Sequence, residues 1–320
     1  MKLLSLCIPT NGIIEWVFPV LDSIYNQNVD DSLFEVIVTD NGNNEQFCKE
    51  MLVYASKHKN LIYKKTNAYM FFNQLEAFKL ADGEYFKFLN HRAILTNGSL
   101  ERLLEVIKQN YKTKPVIYFS NGNLKKDIYK LDSFDLFVRT LRKYCSWTTG
   151  VGIWKEQYQS IPVNTKIDKI SPHSYILFSQ RERNDYIIDN IPFCKQIETE
   201  HSKKGTYDVF KAFGVEEPAI ILNLYIDNSI SAKTLKYVLN DYKKFCSELY
   251  TDFILLKKKC SYDLSGFNDA MGIFYSKKEI KSRAYLIYFK YILFWPVNFV
   301  KKIIKALFFK KRYCAINDSI

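Results

Sequence analysis

Residues 83–95 read GEYFKFLNHRAIL, a short aromatic strand that runs directly into three polar residues. Its aromatic and apolar side chains are typical of a strand in the middle of a buried sheet. Asn90, His91 and Arg92 follow at the point where this strand is expected to leave the sheet. Ligands of open α/β sheets bind beyond the carboxyl ends of the strands, so these three residues are a candidate ligand site. The alternative is a solvated turn.

The rest of the first 120 residues alternates between strand and helix patterns. Each apolar run of strand length ends in polar turn residues, and each is followed by apolar residues at helical spacing. This alternation predicts an α/β fold in which a parallel sheet carries helices on both faces. The predicted strands are 3–8, 34–39, 61–64, 83–89 and 115–120, and the predicted helices are 13–25, 45–57, 71–80 and 98–111.

The composition narrows the class of protein. The chain has 320 residues, of which 48% are hydrophobic, so it can bury a large core and an accessory unit. Its net charge of +12 suits an anionic partner. No nucleic-acid motif accompanies this charge, and a nucleic-acid partner is not expected. The seven cysteines include no Cys-x-x-Cys pair, which indicates a reducing, cytosolic setting.

Two further groups of polar residues follow predicted strands. Pro9, Thr10 and Asn11 come after the first strand, and Asp40 and Asn41 come after the second. Because the carboxyl ends of parallel strands meet at one edge of a sheet, these residues are expected to lie near the triplet of the fourth strand. A carboxylate there can accept hydrogen bonds from a ribose hydroxyl or a base N–H.

The order of these motifs resembles a known family. LSLCIPTNG, FEVIVTDNGNN, the asparagine-rich helix of residues 67–80 and ADGEYFKFLN are similar to the nucleotide-binding half of family 2 glycosyltransferases of the GT-A fold. The resemblance covers residues 1–120 well and 145–190 weakly. It implies a Rossmann-like GT-A sheet with helices on both faces, and transfer of a sugar from a nucleotide donor.

The resemblance also implies roles for the strand-end residues. Pro9, Thr10 and Asn11 match the turn that lines the nucleotide pocket, although the aromatic residue that usually follows the threonine is missing. Asp40, with Asn41 beside it, matches the acidic residue that contacts the base or ribose. Asn73 lies on a helix whose polar residue commonly faces the nucleotide. The structural alternatives are an Asx turn or helix cap for Asp40 and a packing role for Asn73.

The chain departs from the family at the metal site. The family places Asp-x-Asp after the fourth strand, where carboxylates hold Mg²⁺ or Mn²⁺ against the diphosphate. The aligned residues here are Asn90, His91 and Arg92, which include no carboxylate. Arg92 can stand in for the metal because guanidinium binds phosphate through paired hydrogen bonds, and His91 can add another. The expectation is therefore metal-independent transfer, with Mg²⁺ or Mn²⁺ left open.

Inversion at the anomeric carbon requires a base for the acceptor hydroxyl. By the resemblance this base follows a glycine-containing acceptor segment, which TTGVGIW at residues 148–154 resembles. His173 is the first candidate, because the ordinary pKa of histidine suits a base near neutral pH, and Asp168 is the second. The structural alternatives are a helix-start cap for His173 and a solvent contact for Asp168.

The acceptor segment contributes three further candidates. Gly150, like Gly152 two residues later, suggests a close backbone approach or a tight turn. Trp147 and Trp154 are candidates for a face on which a sugar stacks, and core packing is the alternative.

The carboxyl-terminal sequence predicts association with a membrane surface. Residues 283–295 (RAYLIYFKYILFW) are apolar and aromatic, but they are too short for a transmembrane span. Residues 297–312 place apolar side chains on one helical face and lysines on the other. This composition is typical of an interfacial helix that binds anionic lipid, so residues 283–312 are the predicted membrane contact. The alternative is a soluble helix packed on the core.

Together these features predict a bacterial glycosyltransferase at the cytoplasmic face of the plasma membrane. The resemblance to family 2 implies transfer of a sugar to a lipid-linked or glycan acceptor in capsule, O-antigen or similar surface-glycan synthesis, with inversion at the anomeric carbon. The alternative is a catalytically silent GT-A module that binds a partner transferase or a glycan; a homo-oligomer is left open.

The predicted units are a GT-A domain at 1–205 (nucleotide half 1–120, acceptor half 121–205), a helical subdomain at 206–282 and amphipathic membrane-associating helices at 283–314.

Overall fold

The computed structural model describes residues 2–162, 167, 169–197 and 207–293. It contains three sheets, and the largest has five strands in the order β3-β2-β1-β4-β8. The strands are β1 (Leu4–Thr10), β2 (Phe34–Asp40), β3 (Leu61–Lys65), β4 (Tyr85–Phe88), β5 (Ala93–Leu95), β6 (Val116–Phe119), β7 (Ile128–Leu131), β8 (Gly152–Trp154), β9 (Tyr186–Asp189) and β10 (Cys194–Gln196).

The helices alternate with the first strands as the sequence predicts. The α-helices are α1 (Ile14–Tyr25), α2 (Glu45–Ala55), α3 (Asn73–Leu80), α4 (Ser99–Gln109), α5 (Phe134–Leu141), α6 (Lys155–Gln159), α7 (Pro172–Phe178), α8 (Val209–Lys211), α9 (Glu217–Ile226), α10 (Ala232–Tyr250) and α11 (Phe267–Ala270). Residues 277–293 are also helical.

The large sheet is parallel except at one edge. β2 pairs with β1 and β3, and β1 pairs with β4, in parallel register. β8, which comes from the predicted acceptor segment, pairs antiparallel with β4. The α/β class and the first four strands are therefore confirmed.

The fifth predicted strand does not extend this sheet. β6 pairs in parallel with β9 in a separate sheet of order β6-β9-β7. β5 and β10 form a third, two-stranded antiparallel sheet. The simple alternation of strand and helix therefore describes only the first half of the chain, because the strands of the second half pair with partners far away in sequence.

The main core lies between the large sheet and the helices that follow its strands. β1 and β2 are buried along nearly their whole length. The buried face of α4 consists of Leu100, Leu103, Leu104 and Ile107, the set that helical spacing predicts. Removing such side chains from water provides the main driving force for folding.

The chain divides into two compact units by its contacts. The first comprises Met1–Lys203 and Glu216–Asp241, and the second comprises Lys204–Val215 and Tyr242–Ile320. This division assigns Glu216–Asp241 to the first unit, whereas the sequence-based boundaries place these residues in a helical subdomain. Those boundaries remain a prediction.

The predicted membrane-associating region lies only partly within the described residues. The described helix at residues 277–293 includes its beginning, and residues 297–312 lie outside the described residues. Within the part of the chain that the structure describes, no helix has the length and apolar character needed to cross a bilayer.

Candidate active site

Three strand ends meet at one end of the large sheet, which we call the carboxyl edge. The register of β1 and β2 places Thr10 beside Asp40. His91, which follows β4, has its Nδ1 2.8 Å from Oγ1 of Thr10. The structure thus brings together the three groups of polar residues that the sequence placed after strands.

Asp40 is completely buried and is held by several protein groups. Its Oδ1 accepts a hydrogen bond from the backbone N–H of Gly42 at 2.8 Å. Its Oδ2 lies 3.0 Å from Nζ of Lys65 and accepts the Tyr63 hydroxyl at 3.1 Å. Burial, with Cys48 and Asp40 adding to it, raises the pKa of Tyr63 well above its ordinary value, so Tyr63 remains a neutral donor. The Asp40 carboxylate therefore holds the turn after β2 in place, and its ion pair holds the Lys65 side chain at the carboxyl edge.

The amide groups of Asn41 and Asn73 bind backbone carbonyls. Nδ2 of Asn73 donates to the carbonyl oxygens of Thr10 (3.0 Å) and Thr39 (2.8 Å). Its Oδ1 accepts from the Thr66 hydroxyl at 2.8 Å. Nδ2 of Asn41 likewise donates to two backbone carbonyls, at 2.9 and 3.0 Å. Both amide hydrogens of each residue are engaged inside the protein, which supports structural roles rather than direct contact with a nucleotide.

The turn after β1 leaves one candidate side chain at the surface. Pro9 is half-buried and Thr10 is buried, whereas Asn11 is exposed. The backbone of Asn11 packs closely against Gly42, because a Cβ on that glycine would lie 1.9 Å from the Asn11 carbonyl oxygen. Gly42 therefore allows the turns after β1 and β2 to touch.

Asn90, His91 and Arg92, the Asn-His-Arg triplet, form a tight turn between β4 and β5. Oδ1 of Asn90 accepts the backbone N–H of Arg92 at 3.0 Å. The rings of His91 and Trp16 meet edge to face at 5.0 Å, and the Arg92 guanidinium lies 5.3 Å from the centroid of a Trp16 ring. Trp16 of α1 thus supports both residues. Burial and the neighbouring Arg92 lower the pKa of His91 to about 3, so its ring is neutral near pH 7.

The triplet does not fit the divalent cation that the family implies. Hard cations such as Mg²⁺ prefer carboxylate oxygens, and none of the three residues provides one. Oδ1 of Asn90 already closes the turn, Nδ1 of His91 already contacts Thr10, and the Arg92 cation would repel a metal ion. Elsewhere in the described residues, no group of three or more His, Cys, Asp or Glu side chains is placed to hold a metal.

An open depression lies beside the carboxyl edge, at the end of β3. Its volume is about 390 Å³, and it is lined by Lys64, Lys65, Thr66, Asn67, Ala68 and Glu76. Lys65 joins this depression to the buried Asp40 carboxylate. Its two lysines make the depression attractive to an anion, and its polar groups can bind a base or ribose. Lys65 could not be recognised from sequence, because a lysine at the end of a strand carries no signal of its own.

The predicted acceptor residues differ in their accessibility. Gly150 lies against the ring of Tyr118, where a Cβ would come within 2.2 Å of the ring, so the predicted close approach is confirmed. Trp147 is half-buried. Trp154 is completely buried, and its Nε1 donates to the Pro115 carbonyl at 2.8 Å. The prediction that Trp154 stacks on a sugar is therefore wrong, because its ring is enclosed in the core.

The two candidate bases have different outcomes. His173 is buried, with Nε2 2.8 Å from the Ser146 carbonyl and Nδ1 3.2 Å from Oε1 of Gln74. Burial, against the raising effect of the Ser146 hydrogen bond, lowers the pKa of His173 to about 4. Both ring nitrogens thus face oxygen atoms of the protein, which does not support a role as the base. Asp168 lies outside the described residues, and its role remains a prediction.

Comparisons with known proteins support the fold and the glycosyltransferase family that the strand-end motifs resemble. Residues 5–160 match the family model described as glycosyl transferase family 2. No curated protein sequence matches the chain. Among solved structures, the chain is similar to residues 1–349 of TarS from S. aureus in complex with UDP-GlcNAc, with a TM-score of 0.61 and 15% identity, over 89% of this chain and 83% of that one.

The same TarS fragment in complex with UDP matches with a TM-score of 0.55 and 16% identity, over 86% of this chain and 80% of that one. Without a ligand it matches with a TM-score of 0.56 and 16% identity, over 89% and 82%. At these identities the likeness concerns the fold. Together with the family match and the carboxyl edge, it identifies the chain as a glycosyltransferase whose residues 5–160 form a family 2 domain with a GT-A type fold.

Proposed function

We propose that this glycosyltransferase binds the diphosphate of its nucleotide-sugar donor through Arg92 rather than through a metal ion. The position of the guanidinium carries the proposal. It follows β4, where the family has its metal-binding aspartates, and it lies over Trp16 beside the carboxyl edge. A guanidinium keeps its charge at every physiological pH and can stabilise a leaving diphosphate.

His91 is the second donor to the diphosphate in this proposal. Its pKa of about 3 keeps the ring neutral. We assign to the neutral ring the tautomer in which Nδ1 accepts the Thr10 hydroxyl and Nε2 carries the proton. That N–H can donate to a phosphate oxygen. Arg92 then supplies the positive charge that neutralises the diphosphate, and His91 supplies a hydrogen bond that orients it.

The nucleoside is proposed to occupy the depression at the end of β3. Its lining provides lysine, hydroxyl and amide groups, and it lies beside the carboxyl edge at which the triplet also lies. Asn11 is exposed at the same edge and is available as a further contact. Asp40 would act through Lys65, which it holds in place. UDP-GlcNAc is the first donor to test, because TarS was solved with it.

The acceptor is proposed to be a lipid-linked glycan of capsule or O-antigen synthesis at the cytoplasmic face of the plasma membrane. The helix at residues 277–293 supports a membrane contact, because it exposes large apolar side chains: Tyr285, Leu286, Phe289, Tyr291, Ile292 and Leu293. Such side chains beside lysines are typical of a helix that lies in a bilayer interface. The full chain is expected to bind vesicles containing phosphatidylglycerol and to be released by salt. Equal binding to neutral vesicles would contradict the electrostatic part of this account.

Catalysis tests the proposal directly. Release of UDP from UDP-GlcNAc, with and without a lipid-linked acceptor, is measured in EDTA and again with Mn²⁺. The proposal predicts comparable rates in both conditions and a loss of at least tenfold in the Arg92→Ala variant. Activity that requires Mn²⁺ would show that another set of residues holds a metal ion.

A further inference from the structure

Lys87 is a buried lysine in the middle of β4. Its side chain is completely inaccessible to solvent, and strand alternation directs it to the same face as Tyr85 and Leu89, two members of the main core. Nζ lies 4.4 Å from the centroid of the Phe119 ring and 4.8 Å from that of Phe193. Lysine is almost never fully buried without a specific partner, so this position calls for a reason.

The partner of Lys87 is the predicted acceptor segment. Nζ donates to the Thr149 carbonyl at 2.5 Å. The Thr149 hydroxyl in turn accepts the backbone N–H of Asn90 at 3.2 Å, and the Val151 carbonyl accepts the N–H of Phe88 at 3.1 Å. The short helical turn Thr148–Gly150 is thus fastened to the end of β4. One of the fastening groups belongs to the first residue of the Asn-His-Arg triplet.

The charged and titratable groups that face Lys87 are few. Asp189 of β9 is buried, but it already forms an ion pair with Arg102. Burial raises the pKa of the Cys194 thiol to about 11, so this thiol is neutral. Burial lowers the pKa of Lys87 to about 7, against smaller raising effects of Cys194 and Asp189. The amine therefore changes its charge within the physiological range.

We propose that Lys87 is a positioning residue of the donor site, whose ammonium form holds the Thr148–Gly150 turn against the Asn-His-Arg triplet. The ammonium ion donates a charge-assisted hydrogen bond to the Thr149 carbonyl and is attracted to the faces of Phe119 and Phe193. The neutral amine lacks both the charge-assisted hydrogen bond and the cation–π attraction. The turn then loosens, Asn90 loses a fixed partner, and donor affinity falls.

The structural step is tested without any ligand. The full chain is labelled with ¹³C at lysine Cε, and separately with ¹⁵N-threonine, and is titrated from pH 5.5 to 9.5. One lysine signal that is absent from the Lys87→Met variant is expected to titrate near pH 7. The Thr149 amide, assigned with Thr149→Ser, is expected to move with the same midpoint. A Lys87 signal that titrates near pH 10, or a Thr149 amide that does not respond, would overturn the proposal.

The effect on the site rests on the proposed donor binding and is measured by calorimetry. UDP-GlcNAc is the probe, because its diphosphate does not titrate between pH 6 and 8.5. The wild type is expected to bind about tenfold more tightly at pH 6 than at pH 8.5, and Lys87→Met to bind weakly and equally at both. Lys108→Met, which removes an exposed lysine of α4, is the control and should follow the wild type.

A merely structural role predicts a different result, since Lys87→Met would then keep the pH dependence of the wild type. That outcome would overturn the positioning role. If UDP-GlcNAc binds at neither pH, the proposed donor is wrong, and the two labelled titrations alone decide whether Lys87 holds the turn.

Discussion

Replacing Lys87 with methionine should change how the stability of this protein depends on pH. Methionine has nearly the same length but carries no charge, so the variant keeps most contacts with Phe119 and Phe193. The fall of the lysine pKa from 10.5 to about 7 corresponds to about 5 kcal/mol, at about 1.4 kcal/mol per pH unit. Between these two values the unfolded chain binds a proton that the folded chain lacks, so the wild type gains stability as the pH rises.

Urea denaturation of both proteins from pH 7 to 9.5 measures this effect. The free energy of unfolding of the wild type, minus that of Lys87→Met, is expected to increase by about 3 kcal/mol over this range. The buried tyrosines and cysteines also titrate on unfolding, but both proteins share them, and the subtraction removes their contribution. Lys108→Met should show no such trend. A flat difference between wild type and Lys87→Met would refute the reasoning, because it would mean that Lys87 keeps an ordinary pKa in the folded protein.

Three further predictions separate structural from binding roles. Asn73→Leu should lower the free energy of unfolding by about 3 kcal/mol in urea denaturation, because the buried Asn73 side chain loses three hydrogen bonds, two of them fully buried; a change below about 0.5 kcal/mol would contradict its structural role. Gly150→Ala should lower the melting temperature because its Cβ meets the Tyr118 ring, and Tyr118→Leu should restore part of the loss. Trp154→Ala should cost about 3–5 kcal/mol of stability, whereas Trp147→Ala should cost less; equal losses would contradict the different burial of the two rings.

The nucleotide half of the fold follows from local sequence signals. Strand and helix patterns are strong there, and each strand ends in residues that favour turns, such as Asp40-Asn41-Gly42. Parallel strands place their polar carboxyl ends at the same edge of the sheet, whatever the exact register between them. This is why the meeting of Thr10, Asp40 and His91 could be predicted before any distance was known.

The second half of the chain could not be predicted in the same way. β8 joins β4 across more than 60 residues, and β6 pairs with β9 rather than with the large sheet. No local pattern encodes a partner so distant in sequence. Gly150 and Gly152 gave a partial signal, since glycine marks a close approach, but the pattern did not reveal that the neighbours are the rings of Tyr118 and Tyr85.

Individual side-chain roles were the least predictable. Asn73 and Trp154 were sound candidates by residue type, and only their burial and hydrogen bonds show that they serve the fold. Trp16 and Lys87, by contrast, were not candidates, because their residue types at these positions carry no functional signal. A tryptophan on a helix and a lysine within a strand become informative only when Trp16 is found under Arg92 and Lys87 is found bound to Thr149.

Calorimetric titration of the full chain with UDP-GlcNAc in EDTA tests the central claim most directly. The wild type and Arg92→Ala are compared, with Arg139→Ala on α5 as a control that removes the same charge elsewhere in the first unit. The account predicts binding without metal by the wild type and by Arg139→Ala, and a loss of at least tenfold in affinity for Arg92→Ala. Binding by the wild type only after Mn²⁺ is added, or unchanged binding by Arg92→Ala, would contradict it.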